Sequence, residues 1–310
     1  MEKALVLGGT RFFGKKLVER MLDQGVKVTI ATRGHTKDDF GDRVQRLIMD
    51  RGDKHSMQAA TKGMQWDVIY DNICYHATGA ADACELFRDR TKHYVFTSTL
   101  AVYEPGNKAH QEDNFDPYTY EIAEVVGEVS YGEGKRLAEA VFFQQASFPV
   151  TAVRFPIVLG IDDYTKRLHF HLERIDQGLG IEIPNRNARL SFITSDEAAD
   201  FLYRVGKERV NGPINACSDG VLSLQDIVQM IEQELNKQAV IFSPSERALS
   251  DSIARDIETS PFGLLDDWGM DTTKAKELGF AFRSITEWYP ALVHALAEEL
   301  KGNHKNNKAN

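Results

Sequence analysis

Short apolar runs rich in valine and isoleucine alternate with longer amphipathic stretches along the first half of the chain. The runs KALVLG, VKVTIAT and WDVIYDNIC are separated by helical stretches such as FFGKKLVERMLDQG, and the rhythm continues through HYVFTST and PVTAVRFPIVLG. Apolar runs of this kind are typical of strands that are buried on both faces of a parallel sheet. Because parallel strands are joined by right-handed crossovers, the pattern predicts an α/β fold with a doubly wound parallel sheet.

The rhythm changes after about residue 160. Segments such as GLGIEIPNRNAR have no clean period, whereas SDEAADFLYRVGKE and SLQDIVQMIEQELNK predict helices between short strands. We therefore expect residues 1–160 to form the sheet domain, which residues 190–217 complete. Residues 161–301 are expected to form mainly a smaller mixed α/β C-terminal lobe. The polar end, residues 302–310, is predicted to be disordered.

The composition is that of an ordinary globular protein, with 310 residues and a formal net charge of -9. An acidic balance opposes binding to a phosphate backbone, so nucleic acid is not the expected partner. Three widely spaced cysteines fit a reducing compartment and predict no metal site. The chain starts without a signal-peptide pattern, and its most apolar stretch, residues 140–161, falls short of the ~20 apolar residues of a spanning helix. We expect a cytoplasmic protein without a membrane partner.

A glycine-rich turn joins the first strand to the first helix. It consists of Gly8, Gly9, Thr10, Arg11, Phe12, Phe13 and Gly14. Glycine permits a tight turn and lets backbone N–H groups approach a pyrophosphate at the helix N-terminus. Arg11 stands where the usual fingerprint has a middle glycine, and a packing turn without a ligand is the alternative. We predict that these seven residues bind the phosphates of a dinucleotide.

The end of the second strand carries no acidic residue. It reads Ala31-Thr32-Arg33-Gly34, where an NAD-binding protein usually has Asp or Glu against the adenosine ribose. Arg33, together with Arg11, could instead pair with a 2′-phosphate, so NADP is favoured over NAD as the NAD(P) cofactor. A solvated loop arginine is the alternative. Asp50, after the third strand, is predicted to accept a bond from the adenine amino group, with a turn-forming aspartate as its alternative.

Tyr131 and Lys135 lie four residues apart on a predicted helix, so their side chains share one face. A nearby ammonium group stabilises phenolate and lowers the tyrosine pKa from about 10, which suits a general acid or base. Gly132 and Gly134 lie between Tyr131 and Lys135, and the lack of side chains there would let a ligand approach the helix backbone. The run FTST ends the preceding strand at the sheet edge where ligands bind in such folds. A chance surface pair is the alternative.

These features resemble the short-chain dehydrogenase/reductase superfamily in its extended, NAD-dependent epimerase/dehydratase form, which has a Rossmann sheet. FTSTLAVY resembles the strand-five signature of the family, which implies Thr99 as the catalytic hydroxyl, with Ser98 as the alternative. SYGEGK matches the tyrosine–lysine signature through Tyr131 and Lys135. VRFPIVLG resembles the strand that meets the nicotinamide amide, which implies a contact by Phe155, Pro156 and Ile157.

The chain departs from the family pattern at three points. Arg11 replaces the middle glycine, and the fourth strand ends in Asp71-Asn72-Ile73 instead of an Asn/Ala/Ala-Gly run. Arg189 lies one position away from the phosphate-binding arginine of sugar-nucleotide epimerases. GGTRFFG, VTIATRG and the aspartate resemble an atypical branch that includes chloroplast stem-loop-binding proteins, in which turnover can be lost and RNA bound. We place Asp71 among the predicted cofactor-binding residues.

The resemblance implies an NAD(P)-dependent oxidoreductase, epimerase or dehydratase acting on a hydroxyl or carbonyl of a sugar nucleotide or similar small molecule. Tyr131 would transfer a proton, Lys135 would lower its pKa and hold the ribose, and Thr99 would orient the substrate oxygen. The predicted substrate contacts are Tyr75, Tyr164, Arg167 and Arg189. A non-catalytic NADP-binding regulator or an RNA-binding protein on the same fold is the alternative. Because the family often dimerises through two long helices, here about 78–90 and 128–147, a homodimer is a further expectation.

Overall fold

The computed structural model describes residues 1–122, 127–250 and 256–307. The strands are β1 (Lys3–Leu7), β2 (Lys27–Thr32), β3 (Val44–Ile48), β4 (Val68–Asp71), β5 (Tyr94–Thr99), β6 (Asn107–His110), β7 (Val150–Phe155), β8 (Ile157–Leu159), β9 (Gly180–Glu182), β10 (Arg189–Leu190), β11 (Phe192–Thr194), β12 (Gly212–Asn215), β13 (Leu222–Ser223), β14 (Val240–Phe242), β15 (Ile257–Thr259) and β16 (Trp268–Met270). The helices are α1 (Phe12–Asp23), α2 (Lys54–Ala60), α3 (Ala77–Leu86), α4 (Tyr131–Gln145), α5 (Arg167–Gln177), α6 (Ser195–Glu208), α7 (Leu224–Leu235), α8 (Pro244–Ser250), α9 (Thr273–Glu277) and α10 (Ile285–Asn307). Short 3₁₀ turns cover Gly41–Arg43, Leu100–Val102 and Glu112–Asn114.

Seven strands form one parallel sheet in the order β12–β7–β5–β4–β1–β2–β3. Every neighbouring pair in this sheet is parallel. The chain starts in the middle at β1, builds outward to β3, and then crosses back to add β4 and β5 on the other side. The predicted doubly wound parallel sheet is therefore confirmed. Its strand order reverses between β1 and β4, which is where ligands bind in open sheets of this kind.

Both faces of the central sheet are buried, which explains why its strands read as continuous apolar runs. In β1, Ala4 and Val6 belong to one core, while Leu5 and Leu7 belong to the core on the opposite face. Helices α1 and α6 supply residues to the first core, and α3 and α4 supply residues to the second. Successive side chains of a strand point to opposite faces, so each face needs its own helical cover.

Three smaller sheets lie outside the central one. Their strand orders are β13–β10–β16–β6, β11–β8 and β14–β9–β15. A third core packs helices α5, α7 and α10 together through residues such as Leu172, Ile231 and Tyr289, all of them 1% exposed or less. The short strands mix antiparallel and parallel pairs, as at β10, which pairs with β13 in one sense and with β16 in the other.

The last helix, α10, runs to Asn307. The helix therefore extends into the polar end of the chain, of which residues 308–310 lie outside the described residues, and the disorder of residues 302–310 stays a prediction. Neither α10 nor any other helix in the described part of the chain is long and apolar enough to cross a membrane.

A buried ion pair joins α4 to strands β5 and β7. Arg154 and Glu139 are fully buried, and Nη2 of Arg154 donates to the carboxylate at 2.6 Å. Arg154 also donates to the Tyr103 hydroxyl at 2.8 Å and to two loop carbonyl oxygens at 2.7 and 3.0 Å. The hydroxyl of Ser98, in β5, donates to Glu139. The network therefore fixes the end of β5 against the helix that carries the tyrosine–lysine pair.

We expect Glu139→Gln to lower the free energy of unfolding by about 3 kcal/mol, because Arg154 would keep its charge without a buried counter-ion. Urea unfolding followed by circular dichroism measures this loss. Glu208→Gln is the matched control, because Glu208 pairs with Arg204 at 3.4 Å on the exposed side of α6. That change should cost less than about 1 kcal/mol. Equal losses in the two variants would contradict the structural role of the buried pair.

Candidate active site

A cleft of about 1210 Å³ runs along the carboxyl edge of the central sheet. It is larger than the roughly 300–1,000 Å³ of an ordinary ligand pocket. Its walls come from the glycine turn, from the segments that follow β2, β3, β4 and β5, and from the start of α4. Further parts of the wall come from Phe155, Pro156, Ile157, Val158, Tyr164, Thr165, Arg167, Leu190, Pro261, Phe262, Leu264 and Trp268. The volume accommodates two ligands side by side.

The glycine turn folds closely on itself at the floor of the cleft. Gly8 has φ +83°, and a Cβ at Gly14 would overlap the Gly8 carbonyl oxygen. Arg11 is extended, with φ −140°, so the middle position of the turn does not require glycine, and the left-handed φ of +53° falls on Phe12. Gly9 is buried, and a Cβ there would lie 2.9 Å from a core valine. Gly9 is therefore a packing residue and does not line the cleft.

The first backbone N–H groups of α1 belong to residues that line the cleft. Arg11 precedes this helix and makes no side-chain hydrogen bond to its first turn. The first N–H groups of a helix have no acceptor within the helix, and Phe12, Phe13 and Gly14 all line the cleft. Thr10 lines it as well. Free N–H groups and the positive end of the helix dipole fit the pyrophosphate of a dinucleotide.

The segment after β2 offers cations and hydroxyls to the cleft. Thr32, Arg33, His35 and Thr36 line it, and this stretch contributes no carboxylate. Arg33 is exposed, so a phosphate could pair with its guanidinium without displacing a protein partner. Asp50 also lines the cleft, and its Oδ1 accepts a hydrogen bond from the N–H of Gly52 at 2.9 Å. Asp50 is thus both a turn-forming residue and a wall of the cleft.

Asp71 does not line the cleft, which corrects the prediction that it contacts the cofactor. It is fully buried, and Arg51 donates to its Oδ2 from Nε at 3.0 Å and from Nη2 at 2.7 Å. The Tyr94 hydroxyl donates to the same oxygen at 2.6 Å. Arg51, which the sequence reasoning missed, is the member of this group that lines the cleft. The sequence did contain a signal for Arg51, namely the unusual aspartate at the end of the fourth strand. A carboxylate that is buried there needs a cation as its partner.

Thr99, at the end of β5, and Tyr131, at the start of α4, lie close enough for the Thr99 side chain to lower the pKa of the Tyr131 phenol in part. Both residues line the cleft, and the Tyr131 side chain is 55% exposed at its mouth. Ser98 was the alternative to Thr99, but its hydroxyl is used by the buried carboxylate of Glu139. The geometry therefore favours Thr99 as the hydroxyl that faces a ligand beside Tyr131.

Lys135 lies one turn further along α4 and is 1% exposed. Its Nζ donates to the carbonyl oxygens of Cys74 and Thr97, each at 2.8 Å, and lies 4.8 Å from the centre of the Tyr75 ring. Burial lowers the pKa of Lys135 to about 8. An ammonium group has three protons, so within the described residues one donor remains for a ligand hydroxyl in the cleft. This arrangement fits a cofactor ribose.

The pKa of Tyr131 is shifted in the opposite direction to the one we predicted from Lys135. Burial of the phenol hydroxyl raises this pKa above its ordinary value although the residue as a whole is 55% exposed, while the Thr99 side chain and the charge of Arg167 lower it in part. The ammonium group of Lys135 is 5.9 Å from the centre of the Tyr131 ring and is already held by two carbonyl oxygens. A raised pKa keeps the phenol protonated at neutral pH, which suits a proton donor.

Gly132 and Gly134 accommodate the backbone of the protein and not a ligand, which corrects the second expectation for this helix. A Cβ at Gly132 would overlap the carbonyl oxygen of Ala101. A Cβ at Gly134 would lie 2.6 Å from the carbonyl oxygen of Tyr75. The first turn of α4 can therefore press against the loops that follow β4 and β5 only because both positions lack a side chain.

Three of the four predicted substrate contacts line the cleft: Tyr75, Tyr164 and Arg167. Arg189 does not line the cleft, so the structure does not bring it together with the other three. It is exposed in the two-residue strand β10, whose other residue, Leu190, lines the cleft, because alternate residues of a strand face opposite sides. Phe155, Pro156 and Ile157, the predicted nicotinamide contacts, also line the cleft. The sequence reasoning missed the apolar wall formed by Leu190, Pro261, Phe262, Leu264 and Trp268.

Several curated proteins are similar to the chain, among them a plant protein and a yeast protein. It is 25% identical over 230 residues to the chloroplast stem-loop binding protein of 41 kDa b of Arabidopsis thaliana, a match that spans 69% of this chain and 57% of that protein. It is 23% identical to an uncharacterized oxidoreductase of Schizosaccharomyces pombe, across 96% of this chain and 98% of that protein. The chain thus covers little more than half of the chloroplast protein but almost all of the yeast one.

The solved structures agree on the fold. The dTDP-glucose 4,6-dehydratase of Bacillus anthracis, solved in complex with NAD, superposes with a TM-score of 0.73 at 14% identity over 98% of both chains. Likeness at this identity shows the fold alone. The family model of the NAD-dependent epimerases and dehydratases matches residues 4–217, which is more than half of the chain and extends from β1 past β12. The chain therefore belongs to the NAD-dependent epimerase/dehydratase family.

Proposed function

We propose that the protein is an NADP-dependent oxidoreductase that acts on a hydroxyl or carbonyl group of a small molecule. The observation that carries the proposal is the grouping of Thr99, Tyr131 and Lys135 at one point of the cleft, next to the glycine turn and the wall at Phe155. Thr99 and Tyr131 provide two hydroxyl groups that can bind one substrate oxygen. Lys135 stands behind them as a buried cation.

The residues present fit a nicotinamide dinucleotide along the cleft. The unpaired N–H groups of Phe12, Phe13 and Gly14 would hold its pyrophosphate, and Lys135 would donate to the ribose nearer the catalytic residues. Ile157 and its neighbours would form the wall beside the nicotinamide ring. When bound, the cofactor supplies or accepts a hydride at the substrate carbon.

The protein residues would manage the proton. In reduction, Tyr131 gives its hydroxyl proton to the substrate oxygen as the C=O π bond breaks and an O–H bond forms. Thr99 holds the same oxygen in position and accepts or donates a hydrogen bond as Tyr131 changes its protonation state. Arg167, whose charge lowers the Tyr131 pKa in part, would stabilise the phenolate that forms, while Lys135 would hold the ribose. In oxidation of a hydroxyl group, the same proton moves in the reverse direction.

The segment after β2 supports NADP over NAD. Arg33 is exposed in the cleft wall where a carboxylate would bind an unmodified ribose, and Thr32, His35 and Thr36 add neutral or basic side chains. Arg11 lies on the adjacent turn and also lines the cleft. A 2′-phosphate would find charge-assisted donors here, whereas the free 2′-hydroxyl of NAD would find no carboxylate in this stretch.

We expect Tyr131→Phe to lower kcat/KM by about 100-fold or more, because the proton donor is lost. Consumption of NADPH with a panel of ketones and aldehydes measures the effect. Tyr118→Phe is the matched control: Tyr118 is 52% exposed, similar to the 55% of Tyr131, and does not line the cleft. Normal turnover by Tyr131→Phe with every substrate that the wild-type protein reduces would refute the role of this tyrosine.

We expect Arg33→Gln to weaken NADP binding by about 10–100-fold, because hydrogen bonds to charged groups contribute about 1.5–3 kcal/mol. NAD binding should change little. Isothermal titration calorimetry of both dinucleotides measures the two affinities. Arg43→Gln is the control, because Arg43 is exposed near the same strand but does not line the cleft. An equal loss for NADP and NAD in Arg33→Gln would contradict 2′-phosphate recognition.

We expect dinucleotide binding to take up protons near pH 8. The pKa of Lys135 is lowered to about 8, and the negative charge of the bound dinucleotide would raise it again. A group is half protonated at its pKa, so the uptake approaches about half a proton at pH 8 and vanishes at pH 6, where Lys135 is already charged. The dependence of the calorimetric heat on buffer ionisation enthalpy measures this uptake.

Two variants separate Lys135 from the other cations in that measurement. Lys135→Met should bind with no proton uptake at pH 8. Arg33→Gln should keep the uptake, because a guanidinium stays protonated throughout this pH range. Persistent uptake in Lys135→Met would assign the proton to another group.

A further inference from the structure

We propose that the substrate has an apolar, ring-containing body, of the chemical class of cyclic aryl ketones and alcohols, and that it is not a nucleoside diphosphate sugar. The proposal rests on the oxidoreductase function above, because it names the substrate of the same cleft. It concerns the half of the cleft that residues after Leu159 form, which we call the lobe wall: Tyr164, Thr165, Arg167, Leu190, Pro261, Phe262, Leu264 and Trp268.

Most of the lobe wall is apolar. Leu190, Pro261, Phe262, Leu264 and Trp268 come from β10 and from the segment that leads into β16. Leu190 and Phe262 are only 1% and 2% exposed and belong to the third core, so this surface is held firmly by the packing behind it. Ile157 continues the apolar surface toward Tyr131. An apolar ligand that covers the exposed part of this preformed surface is bound favourably, because apolar area is removed from water.

The lobe wall offers little charge to a second diphosphate. Within the described residues it carries one cation, Arg167, whose Nε donates to the Thr165 hydroxyl at 3.0 Å. Arg189, the obvious candidate for a phosphate, is exposed and turned away from the cleft. A diphosphate group placed against hydrocarbon loses its hydration without gaining paired donors, which is costly. Phosphate-binding sites instead present several cations or backbone donors.

The other cations of the cleft are either held by groups of the protein or lie where the phosphates of the cofactor would bind. Arg51 is held by Asp71, and Lys135 is held by two carbonyl oxygens. Arg33 directly follows β2, and Arg11 lies on the glycine turn with its guanidinium 5.7 Å from the centre of the Tyr164 ring. Arg167 is a cation whose charge lowers the pKa of Tyr131 in part, and its Nη2 also donates to the Val158 carbonyl oxygen at 3.4 Å. It can accommodate a polar or acidic substituent on an otherwise apolar substrate.

Three tyrosines surround the mouth of the cleft. Tyr75, Tyr131 and Tyr164 are 43%, 55% and 60% exposed and all line it. The rings of Tyr75 and Tyr131 lie 6.4 Å apart, and Tyr164 meets Phe12 edge to face at 6.2 Å. Such rings provide flat apolar faces with a polar end, against which a substrate ring would pack. A ring packed there would lie beside Tyr131, and Thr99 lines the same cleft.

The test compares 1-tetralone, as part of a series of cyclic aryl ketones, with UDP-glucose. Binding of each compound to the NADP-loaded full chain is measured by isothermal titration calorimetry. We expect the ketones to bind, and UDP-glucose to bind at least about tenfold more weakly than the best of them, since the wall leaves its diphosphate unpaired.

Two neighbouring leucines supply a matched pair of variants. Leu264→Gln places an amide in the lobe wall and should weaken ketone binding by about tenfold, the lower end of what one group in an apolar pocket contributes. Leu265→Gln makes the same change at a side chain that is 69% exposed and does not line the cleft, and should leave ketone binding unchanged. Both variants should keep the wild-type NADP affinity and circular dichroism spectrum.

The outcomes separate this inference from the proposed function. Tighter binding of UDP-glucose than of every ketone, no binding by any ketone of the series, or equal effects of Leu264→Gln and Leu265→Gln would overturn the apolar substrate, even if NADP binds and Tyr131 proves essential. If NADP does not bind but ketones bind in a Leu264-dependent manner, the cofactor assignment fails while the apolar site stands.

Discussion

The carboxylate of Glu139 and the guanidinium of Arg154 are buried together between α4 and the sheet, where each would be costly to bury without the other. Their remaining polar atoms are satisfied by groups from β5 and from the loops that follow it. Because these partners come from separate elements, a shift of any one element would expose an unpaired charge. Thr99 directly follows Ser98, and Tyr131 begins the helix that contains Glu139. The spacing of the Thr99 and Tyr131 hydroxyls is therefore set by a buried ion pair whose two residues do not line the cleft.

A second buried pair has the same effect on the other side of the reversal in strand order. Asp71 at the end of β4 holds Arg51 from the loop after β3, with Tyr94 as a third partner. The loop that follows Asp71 then presents the Cys74 carbonyl oxygen to Lys135. In this protein the buried charges therefore serve mainly to hold backbone segments in position, and contact with ligands is secondary. The result is a cleft whose cofactor side is rich in polar backbone and cations and whose far side is apolar.

The sheet could be predicted because burial on both faces leaves continuous apolar runs in the sequence. Thr99, Tyr131 and Lys135 could be placed because one helical face and one strand end determine their positions locally. Asp71 could not, because an acid at a strand end looks the same whether it faces a ligand or an arginine brought beside it by folding. The outward direction of Arg189 is set by the pairing of its two-residue strand with Ser223 and Leu222, far along the chain. The segment 261–268 has no hydrophobic periodicity, so only its packing in the structure shows which of its side chains reach the cleft.

Trp268 has a consequence for how the protein can be observed. The chain has three tryptophans, of which Trp66 and Trp288 are 5% and 6% exposed in the cores. Trp268 lines the cleft, and its indole N–H has no hydrogen-bond partner in the described part of the chain. Indole emission depends on the polarity around the ring, so one natural chromophore faces the site while the other two give a constant background. The protein carries its own optical reporter, located on the substrate side of the cleft and requiring no label.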